Sequence, residues 1–188
     1  MLRALTAGEI RGRFDPLTGL MEHEAFVDRL ERGATRSGKE GGEPFALLML
    51  GLDDFTLINV EFGWAVGNQL LRSIGHRLAL NLRPADVVSR GGGDRFCVML
   101  DKLRASEDGL SVAERIVEFL DRPFEVAGQQ VKISVSIGVV TTGPVYQSAD
   151  KILENATTAM LAAKRERGNS IVVHGQEDSE SALHTPFE

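Results

Sequence analysis

The chain has 188 residues, of which 43% are hydrophobic and 26% charged, and its formal net charge is −6. That length supports one domain with a sizeable core, and the composition is that of a folded globular protein. The acid excess argues against duplex nucleic acid as a partner, and no apolar run approaches the roughly 20 residues that cross a bilayer.

The opening MLRALTAGEIRGRFD lacks the apolar stretch of a signal peptide. Residues to about Gly12 read as a short stalk helix, so 1–13 is expected to be a linker and 14–175 the folded domain. FDPLTGL, with Pro16 and Gly19, reads as a turn. EHEAFVDRLERGA places Phe26, Leu30 and Ala34 at helical spacing. TRSGKEGGEP reads as a polar loop. FALLMLGL is a continuous apolar run of strand length, hence a central buried strand with Met49 in the core. DDFTLINVEFGW reads as a helix up to Gly63. AVGNQLLRSIGHRLALNL puts Val66, Leu70, Ile74 and Leu78 on one helical face.

DVVSR and RFCVML are expected to form a hairpin around Gly91, Gly92 and Gly93, where positive φ is tolerated and no side chain blocks a ligand. The one cysteine, Cys97, lies in that second strand. It reads as core, excludes an internal disulfide and makes the cytoplasm the expected location. Ser106 is placed to cap the helix EDGLSVAERIVEFLDR. FEVAGQQVKISVSIGVV reads as a second hairpin, its alternation from Val131 to Val139 marking a sheet with one buried face. SADKILENATTAMLAAKRERG is an amphipathic helix stopping near Gly168. SIVVHG is a last short strand, and the polar 176–188 is a tail or linker. The predicted class is α+β, a mixed, mostly antiparallel sheet flanked by helices. His76 reads as helix filler, and His23, His174 and His184 share no zinc spacing.

Five stretches fall in one order: DPLTGL, INVEFGWAVGNQLL, RGGGDRF, VSIGVV and ADKILENATTAMLAAKRERGN. Together they resemble the GGDEF family of diguanylate cyclases over about Phe14 to Val173. The resemblance implies a fold like the polymerase palm and nucleotide cyclases, and condensation of two GTP into cyclic di-GMP. Attack of a 3′-hydroxyl on an α-phosphate needs its charge neutralised, in the family by Mg²⁺ held on carboxylates. The family's strand-end Asp-x-Asp-x-Phe becomes GLDDF here, with Gly51 at the first acid and Asp53 at the second. The signature becomes Gly92-Gly93-Asp94-Arg95-Phe96, so its second acid is a cation. Asp53 sits about 6.6 Å along the strand from position 51, too far to replace a ligand bound at about 2 Å without rebuilding the loop.

Further departures follow from the same resemblance. Thr56 stands where the family has Lys, and Trp64 where it has His; Trp64 reads as packing. Asn59 of the guanine pocket is retained, but its acidic partner corresponds to Asn68. Lys164 matches a phosphate-binding Lys, whereas the family's Gly-Arg order is inverted as Arg167-Gly168. Asn59, Asn68, Gly92, Gly93, Asp94, Arg95 and Lys164 therefore outline a vestigial GTP site, with Asp94 its remaining metal ligand and no catalytic residue assigned. The plain alternative for Asp94 and Arg95 is a solvated hairpin tip. A sharper one has Arg95 take the metal's part and hold a triphosphate directly.

The stretch RPAD holds Arg83 and Asp86, five residues upstream of the glycine signature, where the family's product-binding inhibitory Arg-x-x-Asp lies. Arg donates twice to guanine O6 and N7, and Asp accepts from the N1–H and N2–H₂ edge. The alternative is a solvated turn bent by Pro84. The expected function is a degenerate GGDEF domain that binds cyclic di-GMP at Arg83 and Asp86 and regulates an attached domain. A working cyclase and a GTP-sensing module for a phosphodiesterase domain are the rivals. No cofactor is required unless the active site is retained, in which case it is Mg²⁺. Expected partners are cyclic di-GMP, GTP as a second ligand, a neighbouring sensor or phosphodiesterase domain, and a second copy of the chain.

Overall fold

The computed structural model describes residues 13–105, 107–143 and 148–175. The expected stalk helix, the cap at Ser106, His184 and the polar tail lie outside them.

Seven consecutive buried residues, Ala46–Leu52, form β1, the centre of a five-stranded sheet ordered β2-β3-β1-β6-β7. The other strands are β2 (Val87–Gly92), β3 (Arg95–Leu100), β6 (Val135–Thr141) and β7 (Ile171–Val173). All neighbours pair antiparallel except β6 and β7. Helices α1 (His23–Ser37) and α5 (Ala149–Glu166) cover one face, where Phe26, Leu30 and Met160 meet Met49 and Cys97. On the other face lie α2 (Phe55–Phe62), α3 (Trp64–Asn81) and α4 (Asp108–Leu120), with Leu70, Ile74 and Ile116 against Leu48 and Val98. Both faces are thus buried, as the uninterrupted apolar run of β1 requires. Burial pushes the Cys97 thiol up to about 12, so it is an inert core group.

Three details correct the expectations. The second hairpin is two structures: β4 (Phe124–Val126) and β5 (Gln129–Val131) form a separate ribbon, while β6 leaves to pair with β1. β6 is also buried on both faces, because α5 lies directly on it. A Cβ at Gly138 would overlap the Ala156 carbonyl and the Met160 amide, so the alternation marks helix contact and not a solvated face. Of the three hairpin glycines, Gly91 and Gly92 belong to β2, with a bulge between Arg90 and Gly92; the turn itself is Gly93-Asp94.

Arg167 ends α5 at φ 57° and ψ 140°, a conformation suited to glycine. The inverted Arg167-Gly168 order leaves a residue that carries a Cβ at the strained position. Arg167→Gly is expected to raise stability by about 1 kcal/mol, read as a higher urea midpoint at unchanged slope.

Candidate functional site

Two places gather the residues singled out in the sequence. The first is the end of the sheet at the glycine hairpin. Gly51 lies opposite Arg95 on β3 and opposite Ser136 on β6, so these positions share the α1/α5 face. Lys164, near the C-terminal end of α5, reaches into the room that Gly51 leaves. Its Cε would stand 2.6 Å from a Cβ at position 51, with Met160 Sδ at 2.8 Å. The Lys164 ammonium donates to the Leu52 carbonyl at 3.0 Å and lies 3.7 Å from the Asp94 carboxylate. Asp53 points to β6 instead: Ser136 Oγ and Ser134 Oγ donate to its two oxygens at 2.7 and 2.8 Å. Among the described residues no cluster of three or more His, Cys, Asp or Glu could hold a metal ion.

Arg90 braces the hairpin from below. Its guanidinium donates to the Gly93 carbonyl at 3.2 and 2.8 Å and pairs with Asp15 at 3.4 Å. Asp15 also accepts from the Thr18 amide and hydroxyl, both at 2.7 Å, within the DPLTGL turn. Burial pushes the Asp15 carboxyl up, but the Thr18 bonds and the Arg90 charge outweigh it and hold its pKa below the usual value.

Asn59 lies on α2 and turns its amide against α3 at Gly67, where a Cβ would collide with Oδ1. That oxygen is buried and has no hydrogen-bond partner among the described residues. Asn68 is exposed on α3. No hydrogen bond or ion pair joins either amide to Asp94 or Lys164 among the described residues. Trp64 does not pack: it is 74% exposed at the start of α3, and Leu57 and Val60 on α2 are exposed as well. Gly63, at φ 85°, breaks the helix just before it and turns the indole outward. His76 is exposed on α3.

The second place is the turn between α3 and β2. The Arg83 amide donates to Asp86 Oδ2 at 3.0 Å, and the Asp86 amide donates back to the Arg83 carbonyl at 3.0 Å. This closed turn leaves the Arg83 guanidinium without a hydrogen bond or ion pair among the described residues. Arg83 and Asp86 border concavities on both sides. One, of about 150 Å³, is also lined by Asp101, Asp108 and Arg115. The other, of about 490 Å³, runs past Pro84 toward Phe14 and Arg29. Burial lifts the Asp86 pKa above the usual carboxylate value, against the pull of the Arg83 amide and charge, the Asp101 amide and Arg115. Arg115 and Asp108 were not anticipated; they sit seven residues apart on α4, a spacing that places both on one helical face.

The family model of the diguanylate cyclase GGDEF domain matches residues 13–170. The chain belongs to the GGDEF family. It is 32% identical over 155 residues to the bifunctional diguanylate cyclase/cyclic di-GMP phosphodiesterase MucR of Pseudomonas aeruginosa, covering 82% of this chain and 22% of MucR. It spans between 19% and 36% of the length of the first curated relatives. Among solved structures, the GGDEF domain of TpbB (YfiN) from Pseudomonas aeruginosa superposes with a TM-score of 0.81 at 32% identity, covering 86% of this chain and 94% of that one. The GGDEF domain of DgcB from Caulobacter crescentus, with its coiled coil and in complex with c-di-GMP, gives 0.78 at 26% identity, covering 88% of each chain. The mixed, mostly antiparallel sheet flanked by helices is therefore the GGDEF fold. No helix among the described residues is long and apolar enough to cross a membrane.

Proposed function

We propose that this GGDEF domain recognises cyclic di-GMP at Arg83 and Asp86, without synthesising it, and passes that binding to an attached domain or partner. The observation that carries the loss of synthesis is the placement of Lys164. GGDEF cyclases use Mg²⁺ when active. Here position 51 has no side chain, the Asp53 oxygens are taken by two serine hydroxyls, and Asp94 faces an ammonium. This donor set does not fit paired Mg²⁺ ions, which need several oxygens at about 2 Å.

Recognition is supported by the Arg83–Asp86 turn. The Arg83 guanidinium is free to donate to guanine O6 and N7, and Asp86 to accept from the N1–H and N2–H₂ edge. The DgcB structure with c-di-GMP places that ligand on a domain of this fold. Relatives that join this domain to a phosphodiesterase, such as MucR, or bind an activator, such as SiaD with SiaC, supply the kind of neighbour the signal would reach. Titration calorimetry with cyclic di-GMP should give saturable heat, and incubation with GTP and Mg²⁺ or Mn²⁺ should give no product. Absence of heat removes the binding reading; product formation removes the loss of synthesis.

Asp86 gives this reading a pH signature. A carboxyl whose folded pKa is raised favours the folded state at low pH, and that contribution is lost as pH rises through the folded value. Asp86→Asn keeps an acceptor for the Arg83 amide and removes a half-buried charge. The expected result is equal or higher stability at neutral pH, with weaker cyclic di-GMP binding. In the parent, affinity falls as pH drops through the raised Asp86 pKa, because guanine needs the carboxylate; in Asp86→Asn that dependence disappears. Thermal melts and titrations across the acidic range measure both.

A further inference from the structure

Of the two concavities that border the α3–β2 turn, the larger has the size of a ligand site. Its volume of about 490 Å³ falls within the roughly 300–1,000 Å³ usual for bound small molecules, and the other, of about 150 Å³, falls below it. The charged residues lining the larger one are Arg29, Arg83 and Asp86, set among apolar groups such as Leu82, Pro84 and Val87. Arg83 and Asp86 belong to the turn, whereas Arg29 comes from α1. A cyclic dinucleotide brings two kinds of polar group to this wall. Its guanine edges suit Arg83 and Asp86. Its phosphodiesters each carry a negative charge, and covering one calls for a cation. With Arg83 and Asp86 engaged, Arg29 is the charged residue left in the lining to supply it.

Arg29 is also loosely held. Its guanidinium lies 3.8 Å from Asp101 Oδ2, beyond hydrogen-bond length, and its side chain is 43% exposed. A pair so exposed and so long contributes little to stability. Asp101 does not depend on it, because Arg36, further along α1, donates to the other carboxylate oxygen at closer range. Asp101 is joined to the turn as well, its amide donating to the Asp86 carboxylate. Arg29 therefore stands where α1, the end of β3 and the Arg83–Asp86 turn come together.

We propose that Arg29 is the phosphate-binding group of the cyclic di-GMP site, exchanging Asp101 for a phosphodiester oxygen when the ligand enters, so that the ligand ties α1 to the α3–β2 turn. A charge-assisted bond from a guanidinium to phosphate outweighs a long, solvated contact with a carboxylate that keeps Arg36. The two positions of one side chain supply the two states that binding biases. Because α1 follows directly on the entry segment, binding at the turn reaches the side of the domain where the chain enters. This inference rests on the reading that Arg83 and Asp86 receive guanine.

The test is titration calorimetry of cyclic di-GMP into the whole chain at low and high salt, for the parent and for Arg29→Gln, Arg29→Lys, Asp101→Asn and Arg83→Ala. Arg29→Gln should weaken binding by about tenfold or more, reduce its salt dependence and leave the melting curve in place. Arg29→Lys should recover part of the loss, since it restores the charge without the fork. Asp101→Asn removes the competing charge and should bind equally or more tightly. At saturating ligand, hydrogen exchange of the α1 amides should slow in the parent and not in Arg29→Gln. Unchanged affinity in Arg29→Gln, weaker binding in Asp101→Asn at an unchanged melting point, or α1 amides indifferent to ligand in the parent overturns the proposal. If Asp101→Asn melts early, the two Arg29 variants and the exchange data decide. Binding that Arg83→Ala loses and Arg29→Gln keeps removes this inference alone, whereas no heat in the parent removes the recognition reading with it.

Discussion

Arg83→Ala is expected to weaken cyclic di-GMP binding by about a hundredfold, the upper part of what a bidentate arginine–guanine contact contributes, while leaving the melting curve where it was. The second half of that expectation comes from the turn's construction. Arg83 fastens the turn through its backbone, whose amide meets Asp86 Oδ2 and whose carbonyl receives the Asp86 amide. Alanine keeps both bonds. The guanidinium, by contrast, makes no hydrogen bond or ion pair among the described residues and acts on Asp86 and Asp108 only through its charge, so truncating it removes a recognition group and little of the turn's structure. An unchanged affinity would mean that the ligand is held elsewhere on the domain. A large fall in stability would mean that the side chain is structural after all.

Gly138→Ala is expected to destabilise the fold by about 3 kcal/mol or more, since an added methyl must displace backbone and not a pliable side chain. Its Cβ would enter the space of the Ala156 carbonyl and the Met160 amide, within the central turns of α5. The helix must lift off β6, and Met160 and Lys164 ride on that helix. The consequence is therefore felt at the hairpin as well as in the core. Gly143→Ala is the matching control. Gly143 has a negative φ and open space around its added methyl, so its change is expected to stay within about 0.5 kcal/mol. Urea unfolding of the two variants side by side measures the difference.

Much of the fold was legible because it depends on local pattern. The apolar run of β1 announced a strand covered on both faces, and Phe26, Leu30, Ala34, Leu70, Ile74 and Leu78 at helical spacing are all buried. The parting of β5 from β6 was not legible. One alternating pattern runs through both, and only the long-range pairing of Val135–Thr141 with β1 separates them. Nor could the pattern tell that Ser136 and Gly138 face a helix, since the partner surface lies on α5, further along the chain. At the site, the replacements at positions 51 and 95 were readable residue by residue. What fills the gap at Gly51 was not, because Lys164 arrives from a helix more than a hundred residues away in sequence. The outward turn of Trp64 was missed for another reason: it is set by the backbone break at Gly63, which hydrophobicity does not encode.

The Arg90 guanidinium touches the Gly93 carbonyl with one edge and Asp15, in the chain's entry segment, with another. Arg90, 75 residues along the chain from Asp15, thus joins the entry segment to the hairpin tip. Together with the Met21 amide's bond to the Val88 carbonyl, that side chain fixes where the entry segment lies against the β2–β3 tip.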